Sequence, residues 1–117
     1  MNEKEIKDNL IKSRYWIHSI QAKEIKNFLV SQLNTDIDTL VLHHHFGQND
    51  EYFTLMVNGN FIIDIEYSEK TIVDCEIVTL EKYLVENNKM PSLFRKTINI
   101  AEQIFRCDCP VHTLKRK

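Results

Sequence analysis

A chain of 117 residues, 43% of them hydrophobic, is about one domain's worth and can bury a core without disulfide or metal staples. Its 15 lysines and arginines against 17 acids leave a formal charge of −2, so no global field steers it onto nucleic acid or an anionic membrane. With only Gly47 and Gly59 it cannot build a GxGxxG turn or a phosphate-cradling loop, and no GxSxG elbow, HExxH pair or internal repeat is present.

The opening MNEKEIKDNL alternates charge where a signal peptide needs a continuous apolar run, and no stretch approaches the length of a membrane span. A cytoplasmic protein without membrane contact is expected. Three cysteines form an odd count, which favours reduced thiols or a metal ligand over a disulfide framework.

The first third is helical by pattern. Ile6, Leu10, Ile17, Ile20, Ile25, Phe28, Leu29 and Leu33 recur at spacings of three, four or seven, and Asn2 with Glu5 makes a capping box. Neither glycine nor proline interrupts residues 3–33, so one long helix and two helices hinged near Tyr15 to Ser19 both fit. Asn34, Thr35, Asp36 and Asp38 mark the exit.

From Ile37 to Thr79 the period changes to two. Runs of β-branched and aromatic residues at 39–46, 51–57, 61–67 and 71–79, separated by GQND, NGN and SEK, predict a four-stranded antiparallel meander. Asn58-Gly59 is the preferred pair of a two-residue type I′ turn, which would set Val57 opposite Asn60 and Met56 opposite Phe61. A three-residue loop at Ser68, Glu69 and Lys70 would then place Ile63 opposite Cys75 and Asp64 opposite Asp74. In that register one face is apolar, while Asp64, Glu66, Asp74 and Glu76 gather on the outward face beside Phe53, Leu55, Val57, Ile62, Ile72 and Val78. A one-residue slip would bury Asp74, at a cost of several kcal/mol.

The triplet His43-His44-His45 alternates faces along a strand. With Leu40, Leu42 and Phe46 inward, His43 and His45 join the acids and offer a face that gains positive charge in mild acid. After Thr79, a helix cap, the helical period returns in LEKYLVENN. Met90-Pro91 stops it, and Ser92 starts SLFRKTINIAEQIFR, with Phe94, Ile98, Ala101 and Phe105 on one stripe.

The expected fold is therefore α+β: a four-stranded antiparallel meander with an N-terminal helix, or two, and two C-terminal helices packed on one face. Residues 1–106 form one domain, and 107–117 a basic tail holding Cys107, Cys109 and His112. These are zinc-competent types, with Cys75 or a strand histidine as a fourth, but the spacing departs from paired structural sites. No metal or other cofactor is expected, and the tail is expected to fray with free thiols.

Two function classes survive. The preferred one is a small non-enzymatic interaction protein, an inhibitor or regulator whose acidic and apolar sheet face (Asp64, Glu66, Asp74, Glu76, Phe53, Ile62, His43 and His45) receives a protein with a basic surface. Short, glycine-poor, motif-free chains with a charged patch occur among immunity proteins and phage-encoded inhibitors, an analogy of build alone. Direct binding of nucleic acid is not expected. The alternative is a metal-dependent hydrolase or nuclease using the same four acids with His43 or His45. Glu66 is followed by Tyr67-Ser68 and Glu76 by Ile77-Val78, so neither has the lysine two residues on that a D…ExK nuclease carries.

Overall fold

The computed structural model describes the backbone of residues 2–114 and the side chains of residues 2–107. Helix α1 (Glu3–Ser13) opens on the expected capping box: Asn2 accepts from the Glu5 N–H and Glu5 accepts from the Asn2 N–H. Two 3₁₀ turns, Trp16–His18 and Ile20–Ala22, separate it from α2 (Lys23–Leu33), which ends on Asn34 in the left-handed region at φ 54°. The chain thus carries two N-terminal helices, hinged where no glycine or proline stands. Ser13 and Ser19 supply the break, their hydroxyls donating to the Leu10 and Trp16 carbonyls, both at 2.6 Å.

Strands β1 (Thr39–Phe46), β2 (Glu51–Val57), β3 (Phe61–Ser68) and β4 (Thr71–Thr79) form one antiparallel sheet in sequence order. Then come α3 (Leu80–Glu86), capped by Thr79, and α4 (Ser92–Leu114). The α+β meander is as expected. The arrangement of its helices is not, because they divide between the two faces of the sheet.

The division follows from register. Leu55 pairs with Ile63 and, one step on, Met56 pairs with Ile62. Successive side chains point to opposite faces, yet all four of these are fully buried. Leu55 and Ile63 pack with Ile17, Ala22, Ile25 and Leu29, from the 3₁₀ turns and α2. Met56 and Ile62 pack with Ile6 and Leu10 of α1, Leu80 of α3 and Ile98, Ala101 and Ile104 of α4. Between Ser13 and Ala22 the chain passes from one face to the other at the free edge of β1, where the Val41 N–H donates to the Ser13 hydroxyl at 2.9 Å. Runs such as Leu55-Met56-Val57 and Ile62-Ile63 are what a strand covered on both sides requires.

Both hairpins also differ from expectation. Asn58 and Gly59 do take positive φ, 56° and 75°, but the connection is three residues long and sets Val57 opposite Phe61. A side chain at Gly59 would also meet Phe105 Cβ at 3.0 Å, so the turn is pinned against α4. The second connection is two residues, Glu69 and Lys70, with φ of 47° and 64° and no glycine or asparagine to announce it. A bulge at Val73 absorbs the resulting one-residue offset, so Asp74 and Glu76 stay on the face of Asp64 and Glu66.

Arg14 closes the α1 end of the molecule with a bidentate pair to Asp38, both bonds at 3.0 Å. One buried polar atom is left over: the Thr39 hydroxyl is fully buried and has no hydrogen-bond partner among the described residues. No helix among them is long and apolar enough to cross a membrane.

Candidate functional site

The face that carries Met56 and Ile62 is covered along only half its length. Toward the Gly47–Asp50 and Glu69–Lys70 ends, the same face presents His43 and His45 from β1, Tyr52 and Thr54 from β2, Asp64 and Glu66 from β3, and Asp74 and Glu76 from β4. The four acids do meet across the β3–β4 ladder, and the two outer histidines share their face from β1, with β2 between. Asp64 lies opposite Glu76 and Glu66 opposite Asp74, so there are two like-charge pairs where the earlier register set Asp64 against Asp74. Asp74, Glu76, His43 and His45 are exposed; Asp64 and Glu66 are half-buried.

The half-buried acids are held by neighbours on β2. Thr54 donates its hydroxyl to Asp64 at 2.7 Å, and Tyr52 donates to Glu66 at 3.4 Å. Glu66 also shares a hydrogen bond with Asp50 in the β1–β2 loop. That contact, burial and the Asp50 and Asp74 charges raise its pKa above the ordinary carboxylate value, outweighing the opposite pull of the Tyr52 hydroxyl. Burial, followed by the charges of Asp64 and Glu76, raises the Tyr83 phenol of α3, which places that ring at the border of the patch. Asp50, Tyr52, Thr54 and Tyr83 were not singled out from sequence. Only Tyr52 and Thr54 carried a signal, the alternation of β2 once its register is known.

Two expected site residues do not belong. Phe53 lies on the opposite face, 5% exposed, stacked between Trp16 at 4.7 Å and His44 at 4.4 Å. The one-residue change at the Asn58–Gly59 connection moved it there. Ile62 does share the face of the acids but lies wholly beneath α1, α3 and α4. Leu55 and Val57, expected outside, are likewise buried with Phe53.

The apolar part of the surface comes from elsewhere. A groove of about 480 Å³ runs between the sheet and the start of α4, lined by Leu42, His43, Thr54, Pro91, Leu93, Phe94 and Thr97. Thr54 joins it to Asp64, and Leu93 is 52% exposed at its rim. The result is an apolar channel whose Thr54 wall touches the Asp64 carboxylate. Among the described residues no lysine or arginine forms an ion pair with Asp50, Asp64, Glu66, Asp74 or Glu76.

No three of the described histidines, cysteines and acids converge as a group that could hold a metal ion. Cys107 is an exposed free thiol and Cys75 a half-buried one, on the other face. The side chains of Cys109 and His112, the remaining tail ligands expected from sequence, lie outside the described residues.

No family model, no curated protein and no solved structure matches this chain. Function has to be argued from the site itself.

Proposed function

We propose that this is a small non-enzymatic interaction protein, an inhibitor or regulator, that receives a basic surface of a protein partner on its acidic half-face and the adjoining groove. The observation that carries the proposal is five carboxylates without a cationic partner among the described residues, on the sheet face whose apolar groove reaches Asp64 through Thr54. Like charges placed opposite each other cost stability in the free protein, and a ligand bearing lysine or arginine relieves that cost on binding. The groove supplies apolar area of the kind that forms the centre of an interface, and the acids supply its charged rim. Phosphate backbones are disfavoured there by the same charges, so the partner is a protein rather than nucleic acid. A cytoplasmic setting accords with the free thiols of Cys75 and Cys107.

The test is binding to a partner isolated from the native host, followed across a salt series. Affinity should fall as salt rises, because exposed charges are screened over about 10 Å at 0.1 M. Leu93→Asp, at the groove rim, should weaken binding without altering the melting temperature. A partner that binds equally well in high salt and ignores Leu93→Asp would refute the proposal.

A further inference from the structure

On the exposed side of β1, the Nδ1 of His45 stands 3.3 Å from the Nε2 of His43, the two rings tilted at 48° with centroids 5.3 Å apart. In this contact one ring nitrogen donates its N–H to the lone pair of the other, the tautomers deciding which. Two imidazole nitrogens bound to one tetrahedral zinc ion at about 2.0–2.1 Å stand about 3.3–3.4 Å apart, so the pair is already at the ligand-to-ligand distance of a metal chelate. We propose that His43 and His45 form a two-imidazole site for a divalent transition-metal ion of the zinc class.

Backbone and neighbours hold both rings in place. Positions two apart on a strand share a face, and the β1–β2 register sets His45 across from Tyr52, whose ring stacks on it at 4.9 Å and 14°. His43 lies along the groove with Leu42 and Phe94, which limits its rotation. His44, between them in sequence, points the other way and stacks flat on Phe53 at 2°. It takes no part. The ion occupies the lone pairs of His45 Nδ1 and His43 Nε2, and the proton now lying between them moves to a far ring nitrogen open to water.

Imidazole selects zinc, copper or nickel over magnesium and calcium, which prefer oxygen. With no third protein donor among the described residues, the remaining positions fall to water or to a donor on a bound molecule. Neither far ring nitrogen has a carboxylate or carbonyl partner among the described residues, so affinity is expected on the order of micromolar rather than nanomolar. The inference stands on β1 alone and does not depend on the acids binding a partner.

The experiment is titration of the full chain with zinc chloride, by calorimetry and by NMR of the histidine rings. It is done in a Cys107→Ser, Cys109→Ser, His112→Ala background that removes the tail donors. One ion per chain is expected, with shifts confined to His43, His45 and Tyr52. His43→Ala and His45→Ala should each weaken uptake by at least about tenfold, while His44→Gln leaves it unchanged. No uptake at about 1 mM zinc, or equal uptake in His43→Ala, would overturn the proposal. So would uptake abolished by Asp74→Asn with Glu76→Gln but indifferent to His43.

Discussion

Asp64 lies directly across the β3–β4 ladder from Glu76, with Glu66 opposite Asp74 one outward pair further on. Two successive like-charge pairs are a cost that the isolated sheet does not need, and only Asp64 and Glu66 find hydroxyl donors, on Thr54 and Tyr52. Relieving one pair should therefore stabilise the free protein. Glu76→Gln is expected to raise the unfolding free energy at low salt by roughly a few tenths of a kcal/mol, and the gain should shrink as salt is added. Paired urea melts at two ionic strengths check it. A large loss of stability would mean that Glu76 makes a compensating contact.

The division of the core between two faces makes Ile62 a discriminating probe. A side chain on an open sheet face could be cut back almost without effect, but Ile62 is fully buried with Leu10, Leu80 and Ile98. Ile62→Ala should cost about 2–5 kcal/mol. Chemical denaturation that showed less than about 0.5 kcal/mol would contradict the packing of α1 and α4 on that face.

Much of this was legible from the chain, and the misplaced strand faces share one cause. Strand limits, the Asn2 and Thr79 caps and the gathering of Asp64, Glu66, Asp74 and Glu76 all follow from local chemistry: hydrogen-bonding side chains at helix starts, and period-two alternation that strongly disfavours burying a carboxylate. Faces depend on counting residues through turns. Asn58-Gly59 correctly signalled positive φ but not the third connecting residue, Asn60, and that residue carried Phe53 to the far face. Glu69-Lys70 gave no glycine or asparagine to read, and the Val73 bulge that offsets it is invisible without the partner strand. The acids stayed together because loop and bulge compensate. The helices were harder still. An unbroken periodic stripe from Ile6 to Leu33 concealed a crossing between faces, and the consecutive apolar residues Leu55-Met56-Val57 and Ile62-Ile63 were the local signs that both faces are covered.

Thr39 offers a simple gain. Its hydroxyl is buried beside no acceptor or donor among the described residues, so exchange for a methyl group removes a desolvation penalty and leaves the shape unchanged. Thr39→Val should stabilise by about 1 kcal/mol, raising the melting temperature. A decrease would reveal a bound water or a partner for the hydroxyl.

Alkaline pH should unfold the protein through Tyr67. Burial, the hydrogen bond its hydroxyl donates to Glu24 at 3.0 Å and the Glu24 charge push the phenol from 10.0 up to about 12. A group raised in the folded state contributes stability that is whole below its unfolded pKa and lost as pH rises through the folded one. Stability should therefore fall between pH 10 and about 12. Tyr67→Phe should be less stable near neutrality, having lost the Glu24 bond, and should show a shallower decline over that window. An equal decline in both proteins, followed by tryptophan fluorescence, would place the alkaline transition elsewhere; burial, with the Asp74 and Asp64 charges behind it, pushes the Cys75 thiol up to about 11, making it the next group to examine.

The most direct measurement for the interaction surface is the affinity of the isolated partner for Asp74→Lys/Glu76→Lys, both exposed positions on β4, beside that for Ile20→Asp/Lys23→Glu, exposed on the α2 side of the molecule. With the fold of each variant verified by its melting temperature, the acidic-face reversal should abolish binding and the α2-side pair should leave it intact. Retention of binding by Asp74→Lys/Glu76→Lys, with loss in Ile20→Asp/Lys23→Glu, would contradict the account and move the interface to the opposite face of the sheet.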